Sequence, residues 1–246
     1  MKCFLMSAGK GERLKPLTNT VPKCILDISN GMTTMKFWLK TLDRAHIRDV
    51  LINLHHLPNE IVTYVNKHEM DGMRVTYSKE KELLGSAGTL YANMDYIKGE
   101  WAFIVAYSDT WIRDFDLRRM INYHKKHGEL MTVGLYRENS NEQMVGIAEV
   151  QNDKMVNFSE KKKNAKGELA WAGIFIAHPN VVRSYADETT KDIAADLLPK
   201  LTKSPSRVRA FIINNDVIDI GTPEKLDRAR LVIGGLGFQA LDKEAM

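Results

Sequence analysis

Cysteine is nearly missing from this chain, with Cys3 and Cys24 the only two in 246 residues. Cys3 lies in an apolar run and Cys24 in a polar loop, so neither a disulfide framework nor a zinc cluster is expected, and a reducing compartment, the cytoplasm, is. Long hydrophobic runs are lacking too. The apolar start, Met1 to Met6, is too short for a signal peptide, and nothing approaches the ~20 residues that cross a bilayer. Nor is there a strong excess of one charge: 35 Lys and Arg face 31 Asp and Glu, a net +4. Nucleic-acid binders show a denser basic face with aromatic residues interleaved. The one basic cluster here is Lys161, Lys162, Lys163 and Lys166, and its last three members read as a solvated turn. Neither a nucleic acid nor a membrane is expected as partner, whereas a small polyanion suits the mild positive balance. Internal repeats and low-complexity linkers are absent as well.

What is present is ordinary globular material, 44% hydrophobic and 27% charged. An α/β chain of this length can form one domain and bury roughly 70–75% of its unfolded surface. Apolar runs alternate with helical patterns through the first half. Residues 2–7, 50–54, 73–78 and 101–107 read as strands; 34–45, 58–66, 87–94 and 116–127 read as helices. Pro58 suits a first helical turn and Asp116 a cap. Strands alternating with helices imply βαβ units and a mixed, mainly parallel sheet flanked by helices, a Rossmann-like α/β fold. Beyond a strand at 130–135 the pattern loosens. Residues 146–150 and 155–158 flank a hairpin-like turn, 171–177 and 207–213 read as strands, and 193–201 and 223–232 as helices. The last helix is entered through Thr222 as N-cap. The tail from residue 233 to 246 carries three glycines and is expected to be poorly ordered.

The strongest local signal is Ser7-Ala8-Gly9-Lys10-Gly11-Glu12-Arg13-Leu14-Lys15-Pro16-Leu17-Thr18, ending in Val21-Pro22-Lys23. A glycine-rich turn leaving a parallel strand can set backbone N–H groups against phosphate oxygens. Arg13 adds a planar fork and Lys23 a point charge. The stretch has no Walker sequence. It also fails the dinucleotide fingerprint, because Leu14 stands where a third glycine or alanine belongs; a nicotinamide oxidoreductase is disfavoured on that ground.

The stretch resembles the Gly-x-Gly-x-Arg-Leu-x-Pro-Leu-Thr…Pro-Lys signature of the sugar-1-phosphate nucleotidyltransferases. Further segments are similar in family order, from residue 4 to about 230. Glu80 to Leu90 is like Glu-x-x-Leu-Gly-Thr-Ala-Gly, and Asp109 follows an apolar strand as the family's metal aspartate does, with Ser108 in place of glycine. Glu160-Lys161 is like Glu-Lys-Pro, with Lys162 in place of proline. Ala172-Gly173-Ile174-Phe175 is like Ala-Gly-Ile-Tyr, but Trp171 stands where many guanylyl and uridylyl relatives have Asn. Gly146 matches the glycine of a Tyr-Gly pair whose aromatic is Val145 here. Asp219-Ile220-Gly221-Thr222-Pro223 is close to Asp-Ile-Gly-Thr-Pro.

The resemblance implies a GT-A-like nucleotidyltransferase domain over residues 1–232, with a nucleotide part about 1–110 and a sugar part about 111–232. It implies that Ala8, Gly9, Gly11, Glu80 and Gly88 border the nucleotide and that Arg13 holds the β- and γ-phosphates. Lys23 would hold the α-phosphate. Gly146, Glu160, Lys161 and Gly173 would face the sugar phosphate, with Asp109 and Asp219 holding Mg²⁺. Longer relatives append a parallel β-helix, for which 246 residues leave no room. A homo-oligomer is compatible with all of this.

The chemistry suits those residue types. A sugar 1-phosphate, with a second pKa near 6, is largely dianionic at pH 7 and already nucleophilic. The reaction needs charge neutralisation and in-line alignment more than a general base. The seven histidines form no His-Glu-x-x-His pattern and read as surface or packing residues. A carboxylate at Glu80 can accept guanine's N1–H and N2–H₂, whereas uracil and thymine offer one ring donor. GTP with mannose 1-phosphate or a related manno-sugar is therefore expected, ahead of a UTP- or dTTP-dependent glucose-1-phosphate enzyme. A non-catalytic regulatory relative is a third reading, which the retained charged residues oppose.

Overall fold

The computed structural model describes residues 1–68, 70–139, 145–162, 164–203 and 207–235, and only the backbone of residues 161 and 162. Four parallel strands, β1 (Lys2–Met6), β2 (Asp49–Leu54), β3 (Arg74–Lys79) and β4 (Phe103–Tyr107), open a nine-stranded sheet of order β3-β2-β1-β4-β9-β6-β10-β8-β7. The strand β9 (Leu169–Ala177) runs antiparallel to both β4 and β6 (Met131–Arg137). β10 (Val208–Ile213) is parallel to β6, and β7 (Val145–Gln151) and β8 (Lys154–Lys162) form a hairpin. The sheet is mixed as expected, and its antiparallel pairs fall in the half where the sequence pattern loosens.

Alternation along the strands explains the layering. In β1, Phe4 and Met6 point into one apolar layer and Cys3 and Leu5 into the other, all at most 8% exposed. Burying each large apolar side chain contributes about 1.5–3 kcal/mol. The helices start where their caps allow. Thr33 accepts from Lys36 N–H (3.0 Å) at the head of α1 (Thr34–Arg44). Proline opens α2 (Pro58–Lys67). Next come α3 (Ser86–Ala92) and α4 (Leu117–His127), which Asp116 caps and Gly128 ends at φ 60°. Then follow α5 (Asn180–Tyr185), a five-residue π-helical turn Ile193–Leu197 that runs into α6 (Leu198–Thr202), and α7 (Pro223–Gly235). The expected tail begins inside α7, and residues 236–246 lie outside the described residues.

The sequence pattern missed a small second sheet. β5 (Thr110–Ile112) pairs antiparallel with β11 (Val217–Asp219), in the register Thr110–Asp219, Trp111–Ile218 and Ile112–Val217. Trp111, Ile218 and Ile220 pack there with Leu14, Leu226 and Ala229 in a separate apolar cluster. That cluster fastens the glycine loop, the small sheet and α7 to one another.

Candidate active site

The glycine loop leaves β1 and folds back through three 3-10 turns. Gly11 is left-handed, at φ 64°, and a side chain there would meet Thr18 Cγ2 at 2.8 Å. The Thr18 hydroxyl donates to the Gly11 carbonyl at 2.8 Å, and His56 Nε2 bonds the Thr18 carbonyl at 2.8 Å. His55 and His56 therefore brace loops, as packing histidines do. A Cβ at Gly9 would meet no protein atom within 4 Å, so the loop is open on that side.

Beside it lies a cavity of about 240 Å³, which Ala8, Gly9, Lys23, Glu80 and Asp109 all line. The sheet brings them together, because β1, β2, β3 and β4 all end at this edge. Asn53, which sequence reasoning passed over, ties the edge together. Its Oδ1 accepts from Ser7 N–H at 2.7 Å and its Nδ2 donates to Glu80 Oε1 at 2.8 Å. Glu80 also accepts from Thr89 Oγ1 (2.6 Å) and from Leu84 N–H (3.2 Å). Of about four acceptor positions on a carboxylate, three are occupied from within the protein.

Cys24 is buried within its loop. It is 3% exposed beneath Lys23, and the Thr34 hydroxyl donates to its carbonyl (3.1 Å). Burial pushes its thiol up to about 12. Ser108, the residue in place of glycine, fits because its hydroxyl donates to the Met6 carbonyl at 2.7 Å.

Asp109 and Asp219 meet through the small sheet. Asp219 pairs with Thr110, the residue after Asp109, and Ile220 N–H donates to the Asp109 carbonyl at 3.0 Å. Each carboxylate has an ammonium for partner: Lys23 on Asp109, and Lys225 on Asp219 at 2.5 Å. Asp219 Oδ1 accepts from Gly221 N–H at 2.6 Å. Burial pulls Lys23 down, but Asp109 and Asp219 outweigh it and hold its pKa above the ordinary value. Burial likewise raises Asp219, while Lys225 and Lys23 bring it below the usual carboxylate range. Arg13 is exposed and reaches over the same spot; a Cβ on Gly221 would lie 2.8 Å from its Nη2 and 2.6 Å from Asp219 Oδ1. No resemblance pointed to Lys225, whose pairing is a tertiary contact six residues from its aspartate.

The remaining glycines are explained by packing. Gly88 has Leu84 Cβ at 3.3 Å from its missing side chain, and Gly146 has the Phe158 ring at 2.5 Å. Gly173, at φ 70°, lies against Thr110 and Tyr107 in the stretch where β9 bulges against β6. Glu160 stands on β8, close enough to act on the Tyr107 hydroxyl electrostatically. Lys161 follows it, with its side chain outside the described residues. Among the described residues no cluster of three or more His, Cys, Asp or Glu could hold a metal by itself, and no helix is long and apolar enough to cross a membrane.

A mixed α/β sheet flanked by helices in this strand order is a GT-A-like fold. Residues 2–233 match the family model described as nucleotidyl transferase, and the chain belongs to that family. It is 28% identical to a UTP–glucose-1-phosphate uridylyltransferase of Synechocystis over 90% of this chain and 60% of that protein. It is also 28% identical to a rice protein named as a mannose-1-phosphate guanylyltransferase, over 100% of this chain and 68% of the relative. The chain thus spans roughly three fifths to two thirds of the length of these relatives. In fold it is similar to HddC from Yersinia pseudotuberculosis complexed with GMP-PN, with a TM-score of 0.78 at 22% identity, covering 94% of this chain and 99% of that one.

Proposed function

We propose that the protein joins a nucleoside triphosphate to a sugar 1-phosphate, giving a nucleotide sugar and pyrophosphate, with residues 1–232 as one catalytic domain. The observation that carries this reading is the pairing of Lys23 with Asp109 in the cavity that the glycine loop borders, with Asp219 on the neighbouring small sheet acting on the same Lys23. Two adjacent carboxylates are a hard-oxygen donor set of the kind that holds Mg²⁺ with substrate phosphates completing the shell, so Asp109 and Asp219 fit that ion. When bound, Mg²⁺ supplies neutralisation of the triphosphate charge.

The protein's own groups do the rest. Lys23, beside Asp109, is placed to stabilise the α-phosphoryl oxygens as the sugar phosphate attacks phosphorus and the bond to the β-phosphate breaks. Arg13 grips the departing pyrophosphate from the loop. Lys161 offsets repulsion between the two phosphates, while Glu160 holds sugar hydroxyls.

GTP with a manno-configured sugar is the preferred pair, supported by the guanylyltransferase relative and by the GMP-PN bound to HddC. One observation favours the pyrimidine alternative: Glu80 is largely saturated by Asn53, Thr89 and Leu84, and a base with a single ring donor asks less of it. A pyrophosphate-release screen of four nucleoside triphosphates against sugar 1-phosphates separates the two. GTP is expected to exceed UTP and dTTP in kcat/KM by at least about tenfold, or 1.4 kcal/mol; a pyrimidine preference overturns the guanine assignment.

A further inference from the structure

One wall of the cavity joins Ser86, from the Glu80–Leu90 segment, to Asp192 and Tyr107, to which the family resemblance gave no role. Asp192 caps the π-helical turn, its Oδ1 accepting from Ala194 N–H (2.8 Å) and Ala195 N–H (2.9 Å). Its Oδ2 accepts from the Ser86 hydroxyl at 3.0 Å, and Ser86 Oγ accepts from Ile193 N–H at 2.8 Å. Tyr107 lies beside them; burial first, then Asp192, raises the pKa of its phenol well above the ordinary value. Asp192, Ser86 and Tyr107 all line the cavity together with Asp109.

A proton count shows what this wall can bind. Asp192 has none to give, and Ser86 commits its proton to Asp192. What remains on this pair is an acceptor-only edge, the second lone pair of Asp192 Oδ2. Such an edge takes a ligand that brings hydrogen-bond donors, and the carboxylate repels one that brings another anion. Its position points to the sugar rather than the base. Tyr107 ends β4 two residues before Asp109, within electrostatic reach of Glu160, and its ring meets Trp171 of β9 edge-on at 5.0 Å. Asn53 of β2 and Glu80 after β3 stand at the strand ends on the other side of β4, while Leu84 and Thr89 link them to the segment that carries Ser86.

We propose that Asp192, oriented by Ser86, accepts a hydrogen bond from a ring hydroxyl of the sugar 1-phosphate and thereby selects neutral, hydroxylated sugars over acidic ones. Asp192 has this role only if the transfer reaction proposed above takes place.

The test uses the full chain with whichever of D-mannose 1-phosphate and D-glucose 1-phosphate releases pyrophosphate, that sugar's monodeoxy series, and D-glucuronic acid 1-phosphate. Asp192→Ser keeps an oxygen for the Ala194 and Ala195 amides and deletes the charge, so a thermal midpoint near wild type is expected. KM for the sugar phosphate should rise at least about tenfold, as for loss of a hydrogen bond to a charged group, while KM for the triphosphate stays within about twofold. One monodeoxy analogue, the one lacking the bound hydroxyl, should be handled alike by wild type and variant. The variant should also discriminate less against the glucuronic acid compound. A rise confined to the triphosphate KM would place Asp192 on the ribose, and equal losses across the deoxy series would make it a helix cap alone; either overturns the assignment. If wild type releases pyrophosphate with neither sugar, the transfer reading itself fails and this one with it.

Discussion

Lys23 and Arg13 are both cations of the glycine loop region, yet their settings differ. Lys23 is largely buried and paired with Asp109, whereas Arg13 is exposed and lies over Gly221. A buried, fixed ammonium is suited to charge that reorganises during transfer, and an exposed fork to gripping an end of the substrate. Interactions stronger in the transition state lower kcat when removed, whereas uniform contacts raise KM. Lys23→Ala is therefore expected to lose chiefly kcat, on the order of 10²-fold or more. Arg13→Ala should raise KM for the triphosphate and weaken pyrophosphate in the reverse direction. Steady-state kinetics both ways check this, and a Lys23→Ala variant with unchanged kcat would make Lys23 a positioning residue. The residue scale is also where sequence reading stopped short. Glu80 was legible as a candidate site carboxylate and does line the cavity, but its bonds to Asn53 and Thr89 join residues 27 and 9 positions away, contacts that no local pattern encodes.

Among the elements, the long ones were legible and the short ones were not. α1 and α4 carry apolar residues at helical spacing with capping side chains in front, and β1 and β4 hold apolar runs of four and five residues. β5 and β11 have three residues each, too few to show a period of two. They hold the aspartates in register nevertheless, through backbone hydrogen bonds that side-chain changes leave alone. Asp109→Asn and Asp219→Asn should accordingly each remove most turnover while the thermal midpoint and circular dichroism stay close to wild type. Near-normal turnover of either at ordinary magnesium concentration would take that residue out of the metal role.

For the whole molecule, acid lability follows from a buried imidazole away from the cleft. His124 of α4 is 3% exposed, bonds Thr132 Oγ1 at 2.8 Å and lies 6.0 Å from the Trp101 ring. Burial, with His178 adding to it, lowers its pKa to about 4 from 6.5. The unfolded chain then takes up the proton first as pH falls. Stability is complete above about pH 6.5 and is lost progressively toward pH 4. Thermal melts at pH 7 and pH 5 should show a loss of a few degrees in wild type that is reduced in His124→Gln; equal losses in both would assign the acid sensitivity to other groups.

The small sheet also sets an order on the making of the protein. Its two aspartates stand on opposite sides of most of the β6–β10 half, so the ribosome completes the first four strands long before it reaches the second aspartate. A nascent chain can form the parallel β1–β4 unit and its glycine loop while still lacking one of the paired carboxylates. The partner strand returns only near the end, as a late, non-local pairing of the kind that forms slowly. If Asp219 has the proposed metal role, a growing polypeptide that already has its glycine loop still lacks the second carboxylate that the proposed transfer needs.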